Sequence, residues 1–257
     1  MSRIAKTEAI SLKNVSLSGA SRYIIALTRD FGKVTLVAKG IKKPKSRFGA
    51  CLEPFVLSEV LFYHKENRET HYISHCDIIE SFSNLRRDLE KIRFAAASVS
   101  VIDKVIDHEE KNSVLFDLVF SILTELNRSE ESQLFILYLA FLTKLAALLG
   151  FQPILDRCLR CGALAEERTH PYFSIVEGGL ICSGCEIVAS KDRINYKRIT
   201  PEIREILYQF LTEKFYKNKR RILTDSSLEQ LHILLKMYLE YHTDKRIPPI
   251  SESYLII

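Results

Sequence analysis

The chain has 257 residues, of which 47% are hydrophobic and 27% are charged. This composition excludes a disordered tail and supplies enough apolar residues for more than one buried core. The net charge of +5 is concentrated in one stretch: between positions 29 and 47, seven basic residues accompany one acidic residue. The first residues lack the apolar segment of a signal peptide, so we expect a cytoplasmic protein whose cysteines stay reduced or bind metal.

Residues 1–80 show the short, alternating patterns that are typical of β-strands. Tyr23–Arg29 and Lys33–Lys39 predict two strands that are joined by a tight turn at Gly32. Further strands are expected around residues 10–15 and over Pro54–Tyr63 and Thr70–Cys76. Five short strands in about 80 residues predict a small closed barrel, and the OB-fold is a common nucleic-acid-binding barrel of this size.

The basic stretch covers the predicted turn at Gly32 and the loop that follows the third strand. Lysine and arginine neutralise phosphates, and aromatic rings stack on unpaired bases. We therefore predict a nucleic-acid contact surface, and a solvated basic loop without a ligand is the alternative. The candidate residues are Arg29, Phe31, Lys33, Lys39, Lys42, Lys43, Lys45, Arg47 and Phe48. A second basic cluster at residues 217–221 is interpreted as a solvated surface.

Helical spacing replaces the strand pattern after residue 84. Apolar residues three and four positions apart predict helices near 85–99, 115–126 and 133–150. Two more helices are expected to begin at Thr200-Pro201, with threonine as the cap, and at Ser226, in a capping box. The apolar run at 134–151 is interrupted by a threonine and a lysine, so we interpret it as a buried bundle helix and not a membrane span.

Four of the six cysteines form two Cys-X-X-Cys pairs that are separated by 20 residues; they are Cys158, Cys161, Cys182 and Cys185. Two such pairs complete a tetrahedral thiolate site that suits zinc, and a hairpin through Gly178-Gly179 would bring the pairs together. With four cysteine ligands no position stays open for water or substrate, so the zinc would be structural. Core thiols or a redox pair are the alternatives. Cys51 and Cys76 are interpreted as buried small side chains.

Six segments of the chain resemble the RecO family of bacterial recombination mediators. Residues 27–34, 38–49 and 52–55 are similar to the family's N-terminal signature, and residues 149–153, 155–162 and 178–182 to its zinc segment. The resemblance implies binding to single- and double-stranded DNA, annealing of complementary strands and cooperation with RecR. It also implies loading of RecA onto strands coated by single-stranded DNA-binding protein (SSB), with the SSB C-terminal tail as a partner.

We therefore predict an α+β multidomain protein with an N-terminal OB-fold β-barrel, an α-helical bundle domain and a four-cysteine zinc-binding insertion. The expected limits are 1–80 for the barrel, 81–150 with 200–245 for the helices, 151–199 for the zinc segment and 246–257 for a tail. No nucleotide-binding glycine loop or nucleophile elbow is found, so we do not expect an enzyme, and the resemblance implies a DNA-repair factor. An RNA-binding zinc-ribbon protein of translation or transcription is the alternative; a zinc hydrolase would need an open metal position.

Overall fold

A computed structural model describes residues 3–16, 19–43, 46, 48–65, 68, 70–107, 111–167, 169–185, 194–218 and 223–251. The chain forms two compact units. The first, called here the barrel unit, comprises residues 1–128 with 248–257, and the second, called the cysteine unit, comprises residues 129–247.

Five strands form the closed barrel of the first unit: β1 (Arg3–Ser16), β2 (Arg22–Thr28), β3 (Gly32–Ala38), β4 (Leu57–His64) and β5 (Thr70–Glu80). Their order around the barrel is β1-β2-β3-β5-β4, and β1 pairs with β4 to close it. Neighbours are antiparallel except β3 and β5, which are parallel. This is the OB-fold arrangement that the sequence predicts.

The first strand is much longer than its predicted core at residues 10–15. Its first half, from Arg3 to Ile10, pairs with β4, and its second half, from Ala9 to Ser16, pairs with β2. Ala5, Thr7 and Ala9 are buried in this strand. These small residues fit the barrel interior but give only a weak hydrophobic alternation, which explains why the sequence pattern missed half of the strand.

Two helices complete the described elements of the barrel unit: α1 (Leu89–Val105) and α2 (Ser113–Arg128). They follow a short 3-10 turn at Leu85–Arg87. The Asp88 side chain caps α1 by accepting hydrogen bonds from the backbone N–H groups of Glu90 and Lys91, at 2.9 and 3.2 Å. The two helices pack against each other.

The cysteine unit combines a small sheet with helices. The elements are α3 (Glu131–Leu148), β6 (Ile154–Cys158), β7 (Tyr172–Ser174), β8 (Gly179–Ile181), β9 (Tyr196–Arg198), α4 (Pro201–Thr212), α5 (Phe215–Asn218) and α6 (Asp225–Thr243). The sheet order is β6-β8-β7-β9, and the predicted hairpin is confirmed by the antiparallel β7–β8 pair. The helix α3 packs against α4 and α6.

The helix α3 is long and apolar enough to cross a membrane by length and composition, but 61% of it is buried inside the protein. It was predicted as a buried bundle helix, and Gly150, at φ +90°, follows its end. The predicted cap of α4 is also confirmed, since the Thr200 side chain accepts a hydrogen bond from the Ile203 N–H. The predicted start of α6 at Ser226 was wrong, because Thr224 is the capping residue.

The compact units group the helices differently from the predicted domains. The predicted helical domain, 81–150 with 200–245, has α1 and α2 in the barrel unit and the other helices in the cysteine unit. Ion pairs between the barrel and the first two helices, described below, contribute to this grouping. They link residues about 70 to 90 positions apart in the sequence, which a periodicity pattern does not reveal.

Candidate metal centre and candidate nucleic-acid interface

The four cysteines of the Cys-X-X-Cys pairs come together in the cysteine unit. Their sulfur atoms all lie within 4.8 Å of one another, and the Sγ atoms of Cys161 and Cys182 are 3.6 Å apart. Zinc–sulfur bonds of about 2.3 Å in a tetrahedron place the sulfurs about 3.8 Å apart. The four thiols therefore fit a tetrahedral metal ion.

Backbone hydrogen bonds hold the first pair in a tight turn. The Gly162 N–H donates to the Cys158 carbonyl at 2.9 Å, and the Cys158 N–H donates to the Ala163 carbonyl at 2.8 Å. Gly162 has φ +73°, a conformation that glycine adopts without strain. The second pair follows β8, which pairs with β6, so the sheet brings both cysteine pairs to one place.

The electrostatics of this cluster differ between the first and the last of the four cysteines. Burial raises the pKa of the Cys158 thiol, but backbone N–H groups of Cys182, Cys161 and Arg160 outweigh it and lower the pKa to about 6. The side-chain hydrogen bond with Cys161, with burial, raises the pKa of Cys185 to about 12. A divalent cation would neutralise the repulsion between thiolates, so metal binding and the loss of thiol protons are coupled.

Three of the nine predicted nucleic-acid contacts are exposed lysines at the end of β3 and in the loop after it: Lys39, Lys42 and Lys43. The Lys42 N–H donates to the Ala20 carbonyl at 3.2 Å, so this segment lies against the connection between β1 and β2. In OB-folds that connection is part of the nucleic-acid-binding surface. Lys45 and Arg47 lie outside the described residues.

Arg29 and Lys33, in contrast, hold helices against the barrel. Arg29 forms ion pairs with Glu8 at 2.6 Å and with Asp117 of α2 at 2.8 Å, and its guanidinium lies 4.5 Å from the Phe116 ring centroid. The Lys33 side chain is only 6% exposed, and its ammonium donates to the Asp103 carbonyl of α1 at 2.7 Å. A phosphate contact at either residue would have to replace these interactions.

The two predicted stacking residues also have structural roles. Phe48 is 2% exposed in the barrel core, so its ring faces are not accessible to a base. Phe31 is partly buried, with its ring 5.3 Å from that of Phe62 and 5.1 Å from that of His64. Both lie in a polar, basic segment of the sequence, but Phe48 is buried in the barrel core and Phe31 packs against that core.

Cys51 and Cys76 are buried in the barrel core, as predicted for small apolar side chains. Their Cα atoms are 6.3 Å apart and their sulfur atoms are neighbours, a proximity that was not predicted. Two exposed tyrosines of the barrel, Tyr63 and Tyr72, were not among the predicted contacts, although both lie at outward positions of the strand alternation.

The fold and the cysteine site define a class: an OB-fold protein whose second unit carries a four-cysteine site able to hold a metal ion. The family model described as "Recombination protein O N terminal" matches residues 1–82, and "Recombination protein O C terminal" matches residues 86–248. The chain belongs to the RecO family.

Several proteins named DNA repair protein RecO are similar to this chain. That of Caldanaerobacter subterraneus subsp. tengcongensis is 29% identical, with 94% of each chain covered. That of Thermoanaerobacter sp. (strain X514) is 32% identical, with 72% of each chain covered. That of Listeria monocytogenes serotype 4b is 32% identical over 77% of this chain and 72% of the relative.

Proposed function

We propose that this protein is a cytoplasmic DNA-repair and recombination mediator that is not an enzyme. It binds single- and double-stranded DNA, anneals complementary strands and, with RecR, helps load RecA onto SSB-coated single-stranded DNA. Membership of the RecO family supports the biological role. The observation that carries the DNA contact is the exposed segment with Lys39, Lys42 and Lys43, which lies against the β1–β2 connection of an OB-fold barrel.

The proposed mechanism is electrostatic. Two DNA strands repel each other as polyanions, whereas base pairing supplies the free energy of annealing once they meet. Exposed lysines lower the repulsion and raise the local strand concentration without any covalent step. Lys45 and Arg47 belong to the same proposed surface. Arg29, Lys33 and Phe48 make structural contacts, so we propose that they mainly support the fold of this surface.

The proposed metal is a single structural zinc ion held by Cys158, Cys161, Cys182 and Cys185. Four thiolates form a donor set suited to zinc and leave no open coordination position for chemistry. The ion would fix β6 and the β7–β8 hairpin with respect to each other, because the first cysteine pair begins at the end of β6 and the second follows β8.

The DNA contact is tested by replacing Lys39, Lys42 and Lys43 with alanine. Each phosphate contact to a single strand contributes about −0.7 to the slope of log K against log salt, so the slope should flatten by about 2 and annealing should slow. The matched control replaces three exposed lysines elsewhere, Lys104, Lys214 and Lys245, and should keep the wild-type slope. Equal slopes in both variants would contradict the proposed surface.

The nature of the nucleic acid and the partners is tested by annealing assays on DNA and RNA, with and without SSB and RecR. A DNA-repair mediator should anneal SSB-coated DNA, and RecR should promote RecA loading on that DNA. An activity confined to RNA would instead favour an RNA-binding zinc-ribbon protein.

A further inference from the structure

Two tyrosines and an isoleucine form an exposed apolar patch on the outside of the barrel. Tyr63 lies opposite Tyr72 in the β4–β5 pair, and Ile4 of β1 lies opposite Tyr63 on the other side. The exposed fractions of Ile4, Tyr63 and Tyr72 are 60%, 43% and 44%. Single exposed apolar residues are common on protein surfaces, but here three large ones lie next to one another across three strands.

The strand alternation explains why these side chains point outward. Phe62 and Ile73, the sequence neighbours of the tyrosines, are buried in the barrel, and successive side chains of a strand point to opposite faces. Tyr63 and Tyr72 form the residue pair of the β4–β5 ladder that lies closest to the connection between these two strands. In OB-folds this connection is a frequent nucleic-acid contact.

The patch borders the cationic segment after β3. Because β3 and β5 are parallel, with Val37 opposite Tyr72, Lys39 follows directly beside the tyrosine. Its Nζ lies 4.4 Å from the centroid of the Tyr72 ring, and Lys42 and Lys43 are exposed a few residues further on. Aromatic rings beside a basic segment are the combination that binds unpaired bases together with their phosphates.

We propose that Tyr63 and Tyr72 form a stacking platform for the bases of single-stranded DNA, and that Lys39 exchanges the Tyr72 ring for a phosphate when a base stacks there. This inference rests on the proposed DNA-binding function of the barrel and adds the residues that recognise unpaired bases. A lysine–ring contact at an exposed site is weaker than the stack of a base on an aromatic ring, so the exchange is favourable. Duplex DNA, whose bases are already stacked on one another, does not use the platform.

The test compares an oligo(dT) strand with an abasic strand of the same length, which carries the same phosphates but no bases. The wild-type protein should bind oligo(dT) more tightly, by about tenfold for each ring that stacks. Replacing Tyr63 and Tyr72 with leucine should reduce this preference to within a few-fold and leave the affinity for the abasic strand unchanged. The control Tyr208→Leu, at a tyrosine of α4 that is 48% exposed, should keep the wild-type preference.

A second readout does not depend on the stability of the double variant. The chain contains no tryptophan, so Tyr72→Trp introduces a single indole at the platform. Its fluorescence should be quenched by oligo(dT) and not by the abasic strand. Quenching of equal size by both strands, or an unchanged base preference in a folded Tyr63→Leu/Tyr72→Leu variant, would overturn the platform. If the wild-type protein binds neither strand, the proposed DNA-binding function itself fails.

Discussion

Gly178 occupies a position in the β7–β8 turn that only glycine fits without strain. Its φ of +77° lies in the left-handed region, and an added Cβ would be 2.7 Å from the hydroxyl oxygen of Tyr238. That hydroxyl donates a hydrogen bond to the Phe151 carbonyl at 3.0 Å. A side chain at this position therefore meets both backbone strain and a buried, hydrogen-bonded neighbour.

Gly178→Ala should lower the free energy of unfolding by about 2–4 kcal/mol, since the strain adds to the displacement of a hydrogen-bonded hydroxyl. Gly150→Ala is the matched control, because Gly150 has φ +90° but open space around its Cβ. It should cost only about 1–2 kcal/mol. Urea denaturation of both variants measures the difference; equal losses would show that the Tyr238 contact is unimportant.

Lys33 provides a second test at the residue scale, because its structural and DNA-binding roles predict different results. Lys33→Met removes the ammonium that pairs with Asp103, whose side chain is 16% exposed, and should destabilise the protein by about 2 kcal/mol. The salt dependence of DNA binding should not change. Adding Asp103→Asn should recover part of the stability, as expected for two partners of one ion pair. A flattened salt dependence with unchanged stability would restore Lys33 as a phosphate contact.

At the scale of elements, local sequence patterns predicted most of the structure. The turn at Gly32, the cap at Thr200 and the β7–β8 hairpin depend on neighbouring residues, and the structure contains all three. The elements that differ depend on distant partners. Half of β1 forms because β4 pairs with it, and the ring of Phe48 is buried because its loop folds back onto the barrel. A charge count gives no information on such contacts, so the ion pairs of Arg29 and Lys33 with the helices could not be predicted from it.

The proposed metal site predicts how β6 and the β7–β8 hairpin respond to the loss of a cysteine. The purified protein should contain one zinc ion per chain, and Cys158→Ser or Cys182→Ser should lose it and increase proteolysis between residues 154 and 185. The control Cys51→Ser, in the barrel core, should retain the metal. Atomic absorption and limited proteolysis provide the measurement. Protein that contains no metal after purification without chelator would contradict the proposed site.

For the whole molecule, we expect the helical part predicted at 81–150 and 200–245 to bind the SSB tail. Residues 81–150 carry more acidic than basic groups, which disfavours a long phosphate backbone. An acidic peptide with an apolar end can insert that end between helices and pair its carboxylates with a nearby lysine or arginine. Binding of the tail to the full chain should weaken with salt but persist in part, because the apolar anchor is not screened. Fluorescence anisotropy measures it, and a tail lacking its terminal phenylalanine should not bind. Equal binding of both peptides would contradict an apolar anchor.

The closure of the barrel by β1 also determines when this protein can finish folding on the ribosome. The first half of β1 has no partner until β4, residues 57–64, has been synthesised. In the barrel, β5 lies between β3 and β4, and it ends at Glu80, so the sheet is complete only after that residue. The ion pairs of Arg29 with Asp117 and of Lys33 with Asp103 form later still, because both aspartates follow the barrel in the chain. At about 5–20 residues per second, the N-terminal strand stays incompletely paired for several seconds after it emerges. We expect nascent chains that end before residue 80 to be protease-sensitive and to depend on chaperones that cover unpaired strand edges.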